Sequence, residues 1–326
     1  MKKIYLILSV FAIVFNACET DFDVNAEWEE TTVVFGLLDA AKNIQFIKIN
    51  KAFLGEADAE LMASFSDSVN YIPENLEVVL YKINFNDTIA SRTLKDTILL
   101  KDDGLFATDS NIIYYFDSPI SDNFLSINSS YTLVIKNIKT GNLVSSTTDI
   151  IKGFNFSAGI PNSNNLTFYV DVLGYKYPRF EWSDPTNAEI FQFNLKFHYK
   201  ENGVVKELLW TQTALGRNDN FLLLSGEDFF HQFLANNLAA LNDDQEREFM
   251  SIDIEMTLGT QDLKTYIAVN EPITGIVQER PQFTNVNNGI GLFSSRYTKL
   301  YGPFNLNADS KKYIVEVLGL PFINFQ

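Results

Sequence analysis

The sequence predicts a mainly β chain folded as two β-sandwich units, the second carrying an inserted helix near residues 226–241. Three observations carry that prediction. Short apolar runs of strand-like composition recur from Thr31 onward, separated by Asn, Asp, Gly and Ser. One clear stretch, after Ser225, instead spaces its apolar residues at the helical period. Finally, 46% hydrophobic residues and 28 Phe supply a core without crosslinks, since Cys18 is the only cysteine.

Residues 1–17 read as a lipoprotein signal peptide. Lys2 and Lys3 precede an apolar run, Ile4 to Phe15. A helix of that length reaches about 18 Å, against about 30 Å for a bilayer core, so the run is a signal segment and not an anchor. Ala17 before Cys18 resembles a lipobox, in which the cysteine thiol is acylated and becomes the mature N-terminus. The alternative is an ordinary secretory signal with an incidental cysteine, which would leave an exported chain with a free thiol. Two or three acyl chains, at ~0.8 kcal/mol per buried methylene, would hold the chain on a membrane.

Residues 18–30 read as an acidic tether. Asp21, Asp23 and Asn25 have the alternate spacing of a calcium loop, but Ala26 stands where the loop needs Gly and Thr32 where it needs Glu. No metal site or cofactor is expected. The formal net charge of −16 argues against nucleic acid and against anionic lipid bound through a basic surface.

The first unit spans 31–151, with strands expected at TTVVFGLL, IQFIKI, LEVVLYKI, IIYYF, SYTLVIKNI and LVSSTTDI. NSSYTLVIKNIKTGNLVSS looks like the late hairpin of an immunoglobulin-like or fibronectin-III-like domain, with Tyr131 at its corner and Lys139 to Asn142 in the turn. The second unit spans 152–326. LTFYVDVLG, PRFEWSDP and IFQFNLKFHYK resemble the first half of another sandwich. In the last run Phe191, Phe193, Leu195, Phe197 and Tyr199 alternate with polar residues, so one face is buried and the other wet. His198 falls on the wet face with no acid near it in the chain, which makes it a surface histidine.

Ser225 and Asp228 then cap the helix, with Phe230, Phe233, Leu234, Asn237, Leu238 and Leu241 on its inner face and His231 beside it. The acidic run Asn242 to Glu246 closes it as solvated loop. In SIDIEMTLG, Asp253 and Glu255 point away from Ile252, Ile254 and Met256 as solvent-facing acids, and QDLKTYIAVNE reads as a short helix. Asn-Asn-Gly at 287–289 is turn chemistry. Gly289 and Gly291 share a face when extended, which permits close backbone approach, and no Lys-Ser/Thr follows to make a phosphate loop.

The stretch Pro281 to Tyr297, with the Cys18-Glu19 start, VVFGLL and DLKTYIAVNEP, resembles a family of Bacteroidetes outer-membrane lipoproteins of unknown function. The resemblance singles out Asn285, Gly289, Gly291 and Phe293 as the family motif. It implies an outer-membrane lipoprotein, often near TonB-dependent transporters, and makes Glu19, Asp21 and Asp23 a surface-export signal. It also implies O-glycosylation at Ser68, Thr88 and Thr97, in the tripeptides Asp-Ser-Val and Asp-Thr-Ile.

The expected function is that of a non-enzymatic surface lipoprotein, an accessory subunit of an outer-membrane transporter or assembly with a β-barrel partner. The alternative is direct capture of glycans or peptides, with Trp28, Trp182 and Trp210 as stacking candidates, of which Trp182 fits a core better. An enzyme is disfavoured by two isolated histidines and the lack of a nucleophile motif or metal-ligand spacing.

Overall fold

Alternating apolar and polar residues become strands throughout the computed structural model, which describes residues 31–52, 69–99, 111–216, 221–238, 246–272 and 281–325. In the N-terminal half these are β1 (Thr31–Asp39), β2 (Ile44–Ala52), β3 (Leu76–Asn84), β4 (Asp87–Thr93), β5 (Lys95–Leu99), β6 (Asn111–Asp117), β7 (Ser130–Asn137) and β8 (Leu143–Asp149). Then follow β9 (Phe156–Ala158), β10 (Asn165–Leu166), β11 (Tyr169–Val170), β12 (Gly174–Tyr175), β13 (Arg179–Trp182), β14 (Ile190–Glu201), β15 (Val204–Gly216) and β16 (Phe221–Leu223). Helix α1 (226–238), β17 (Arg247–Gly259), helix α2 (Gln261–Asn270), β18 (Val286–Asn287), β19 (Gly289–Leu306) and helix α3 (Ala308–Glu316) complete the order.

The protein is mainly β, with several sheets. The main sheet runs β15-β14-β17-β19-β1-β2-β6-β5, with β10 also on β19. It draws strands from both halves of the chain. Its central joint is parallel, β1 on β19 with Val34 opposite Gly291 and Gly36 opposite Phe293.

Two apolar cores rest on this sheet. In one, Val34, Leu38, Ile47 and Ile49 meet Val78, Leu80, Leu133, Ile135 and Val144 of the five-stranded sheet β18-β8-β7-β3-β4. In the other, Phe191, Phe193, Leu195 and Phe197 of β14 and Ile252, Ile254 and Met256 of β17 meet β13, α1 and α3. Tyr297 packs against both clusters, so the cores lie side by side on one face of the main sheet. Each fully buried Phe or Leu contributes about 1.5–3 kcal/mol.

Tyr131 holds its corner as the sequence predicts. Its hydroxyl donates to Phe124 O at 2.5 Å and accepts from Ser126 N at 2.7 Å, and burial pushes its pKa up to about 12.

Three local readings change. LTFYVDVLG is no single strand. It breaks into β10, β11 and β12, with a turn at Asp171–Leu173. The helix begins where expected, Ser225 Oγ accepting from Asp228 N, but Phe229–Ala235 winds as a π-helix. That wider turn buries Phe229 beside Phe230, Phe233 and Leu234, and it leaves Asn237 exposed. Leu241 and all of the acidic run but Glu246 lie outside the described residues.

Candidate functional site

The main sheet's other face carries the residues that alternate with the cores. On β1 these include Phe35, Leu37 and Asp39, and their neighbours are Leu292 and Arg296 of β19 and Ile44 and Phe46 of β2. Helix α2 lies over part of this face. Gly259 lets it close, since a Cβ there would stand 2.7 Å from Leu263 Cδ2. Thr260 Oγ1 and Ser294 Oγ, 2.5 Å apart and buried, tie the start of α2 to β19. Between α2, β1 and β2 runs a groove of about 850 Å³. Phe35 meets Tyr266 edge to face at 6.1 Å on one side of it.

The apolar lining is Phe35, Ile44, Phe46, Leu263, Tyr266 and Ile267, and polar groups gather around the Asp39–Asn43 turn. Asp39 is only 2% exposed. Its Oδ1 accepts from Ala41 N at 2.9 Å, its N–H donates to Gln45 Oε1 at 2.8 Å, and Gln45 Nε2 donates to Asp39 O and Lys42 O. Asp39 Oδ2 accepts no hydrogen bond, and Arg296 Nε stands 3.9 Å from it. Burial raises the Asp39 carboxyl above its ordinary range. The Ala41 N–H, the Arg296 and Lys42 charges and the Thr298 backbone oppose that shift.

The same face continues as a charged ladder over β14, β15 and β17. Lys196 pairs with Glu255 at 2.7 Å and Lys200 with Glu248 at 2.9 Å. Partial burial pushes the Glu255 carboxyl up, but bonds from Lys196 and Asn194 and the charges of Lys196 and Lys42 together bring it below its ordinary value. His198 is here, and its surroundings need correcting. Cross-strand pairing sets Asp253 Oδ2 3.0 Å from Nε2 and Glu207 Oε2 3.5 Å from Nδ1, although neither acid is near it in the chain. Glu255 and Asp253 do point away from the core, as expected, but each is partly buried against a basic partner.

The motif residues Asn285, Gly289, Gly291 and Phe293 come together at the β1–β19 joint. A Cβ on Gly291, whose φ is +116°, would lie 2.0 Å from Val34 O, and one on Gly289 2.7 Å from Thr32 O. Asn285 Nδ2 donates to Phe293 O and to Asp262 Oδ2 at 2.7 and 2.8 Å, and Phe293 N donates back to Asn285 Oδ1. The motif thus clasps β19 to β1 and to the first turn of α2, the walls of the groove.

The other candidates are dispersed. Thr88 is exposed on β4 and Thr97 half-buried on β5. Cys18, Glu19, Asp21, Asp23, Trp28 and Ser68 lie outside the described residues. Trp182 is a core residue, and the half-buried Trp210 stacks on Phe233 at 5.5 Å. The exposed His231 holds the Tyr175 and Tyr313 hydroxyls at 3.0 and 3.2 Å. Among the described residues no helix is long and apolar enough to cross a membrane.

Sequence reasoning missed Asp39, Gln45, Arg296, Phe35 and Phe46 as a group. The available signal was TTVVFGLLD, where Val33, Phe35 and Leu37 make both strand faces apolar. The fold and this site define a mainly β protein with an open amphipathic groove on one sheet face. The chain matches no protein-family model and no curated protein.

Proposed function

We propose that this chain is a non-enzymatic lipoprotein, anchored to the outer membrane through acylated Cys18 and exposed at the cell surface, that serves as accessory subunit to an outer-membrane β-barrel transporter or assembly. In this reading the body is two sandwich units, 31–151 and 152–326, the second with the helical insertion. Two apolar cores support two units, with Val286 and Phe293 of the second range packing into the first core. The observation that carries the function is the contrast within the main sheet: one face is closed by core, and the other keeps an apolar groove open beside a charged ladder. A concave apolar groove with polar groups at one end supports a binding role for that face.

Detergent extraction and affinity purification from the native host tests the proposal. The expected result is a stoichiometric β-barrel partner together with an intact mass that includes acyl chains on Cys18. A solitary protein without lipid would sink it.

The second reading is direct capture of a nutrient. The groove favours it, since about 850 Å³ falls within the usual range of small-molecule sites, roughly 300–1,000 Å³. It moves the stacking role from the tryptophans to Phe35 and Phe46.

A further inference from the structure

We propose that Tyr175, His231 and Tyr313 form a binding site for a hard trivalent cation of the ferric class, with both phenol oxygens and His231 Nε2 as ligands on one face of the ion. The site lies apart from the groove and rests on neither reading above.

Three observations carry this assignment. The first is convergence. Tyr175 from β12, His231 from α1 and Tyr313 from α3 each bring one atom to a triangle with sides of 2.6, 3.0 and 3.2 Å. Neighbouring donors about 2.0–2.1 Å from an octahedral ion stand about 2.9 Å apart, so the triangle has the size of one octahedral face. Packing holds the rings in place. Tyr313 lies on Tyr169 and Phe230, each ring centre 4.5 Å away, and Ser310 Oγ fixes α3 by accepting from Phe168 N and Tyr169 N at 3.1 and 3.0 Å. Gly226 N holds the start of α1, donating at 2.9 Å to the carbonyl of Lys176, the residue after Tyr175.

The second is a shortage of protons. Each phenol carries one, and a ring nitrogen either donates or accepts. If Nε2 accepts, two protons serve three contacts; if it donates, one N–H is split between two oxygens. No protonation state of the ring gives each side its own proton, whereas a cation facing the three atoms satisfies all of them at once.

The third is access and charge. His231 is exposed and Tyr175 half-buried, so their side of the triangle opens to solvent, while Tyr313 is 8% exposed. Burial raises the Tyr313 phenol, with Tyr175, Tyr169 and the Glu227 charge adding to the shift, so an ion-free Tyr313 stays protonated at neutral pH. On binding, each phenol releases its proton to solvent as its oxygen takes the metal. Two phenolates then supply two negative charges on hard oxygens beside an imidazole, a set suited to ferric iron, whereas magnesium and calcium favour carboxylates and carbonyls. Among the described residues no group of three or more His, Cys, Asp and Glu competes for the ion.

The test titrates ferric ion, supplied as its citrate complex, into the purified full chain. The expected result is a visible phenolate-to-iron charge-transfer band that saturates at one ion per chain. Tyr175→Phe and Tyr313→Phe, which keep the packed rings, should each remove at least half of the band, and the double variant all of it. His231→Gln should keep a band and weaken binding about tenfold or more. Tyr177→Phe, at a residue 57% exposed outside the triangle, should change nothing.

No band on the unmodified chain overturns the proposal without any variant having to fold. A band that survives the double variant, or that keeps rising past one ion per chain, marks adventitious surface iron and equally overturns it. Affinity indifferent to His231→Gln does the same, since the nitrogen is then no ligand.

Discussion

On the inner face of the main sheet Phe191, Phe193, Leu195 and Phe197 are wholly covered, whereas on the outer face Phe35 and Phe46 each keep 43% of their surface exposed. Both sets belong to strands of the same sheet, so strand propensity does not separate them. What separates them is the partner. Among the described residues, the inner face is met by β13, α1, α3 and the five-stranded sheet, while the outer face is met by α2 over only a fraction of its width. Inner aromatics are therefore structural, and outer ones are surface left uncovered by folding.

Mutation can break that contrast. Phe193→Ala should cost about 3–5 kcal/mol in urea denaturation, the price of a core cavity. Gly291→Ala attacks the joint common to both faces. Its Cβ would collide with Val34 O at a backbone angle that L residues rarely adopt, and a loss of about 3 kcal/mol is expected. Glu201→Ala should cost a similar amount, about 3 kcal/mol, because Arg247 is 1% exposed and, among the described residues, its side chain would keep only Leu238 O as acceptor. Phe35→Ala, by contrast, should cost about 1 kcal/mol, since much of its ring is already in water. If it costs as much as Phe193→Ala, the outer face is core and the distinction collapses.

The smallest effect is in pH dependence. The Asp39 carboxyl is raised in the folded state by burial, so the native protein binds the extra proton between the ordinary and the raised value. Stability should therefore fall as pH rises through that window, and Asp39→Asn should flatten that region of a melting-temperature profile.

Strand alternation made much of the inner face legible. Phe191 to Tyr199 and Ile252 to Leu258 sit as their spacing predicts, and Tyr131 sits at its corner. Among the missed strands are β4 and β5, whose Asp, Ser, Thr and Lys read as loop. As neighbours at sheet edges they present mostly exposed residues, so burial imposes no pattern on them. The π-turn of α1 was hidden because Phe229 and Phe230 together violate the 3.6-residue period. The groove was hidden for another reason. Asp39 and Arg296 stand 257 positions apart and are neighbours only because β1 pairs with β19, a parallel contact that periodicity does not encode. The motif glycines did forecast a close backbone approach, though not which strand would make it.

Thr31 opens β1, the first of the described strands. β1 is gripped along its length by β2 on one side and β19 on the other. A pull along the strand on the preceding segment loads both rows of hydrogen bonds in shear, so the bonds bear the force jointly and do not unzip singly. Under the proposed lipid anchoring, the strand that walls the groove would also be the body's mechanical fastening.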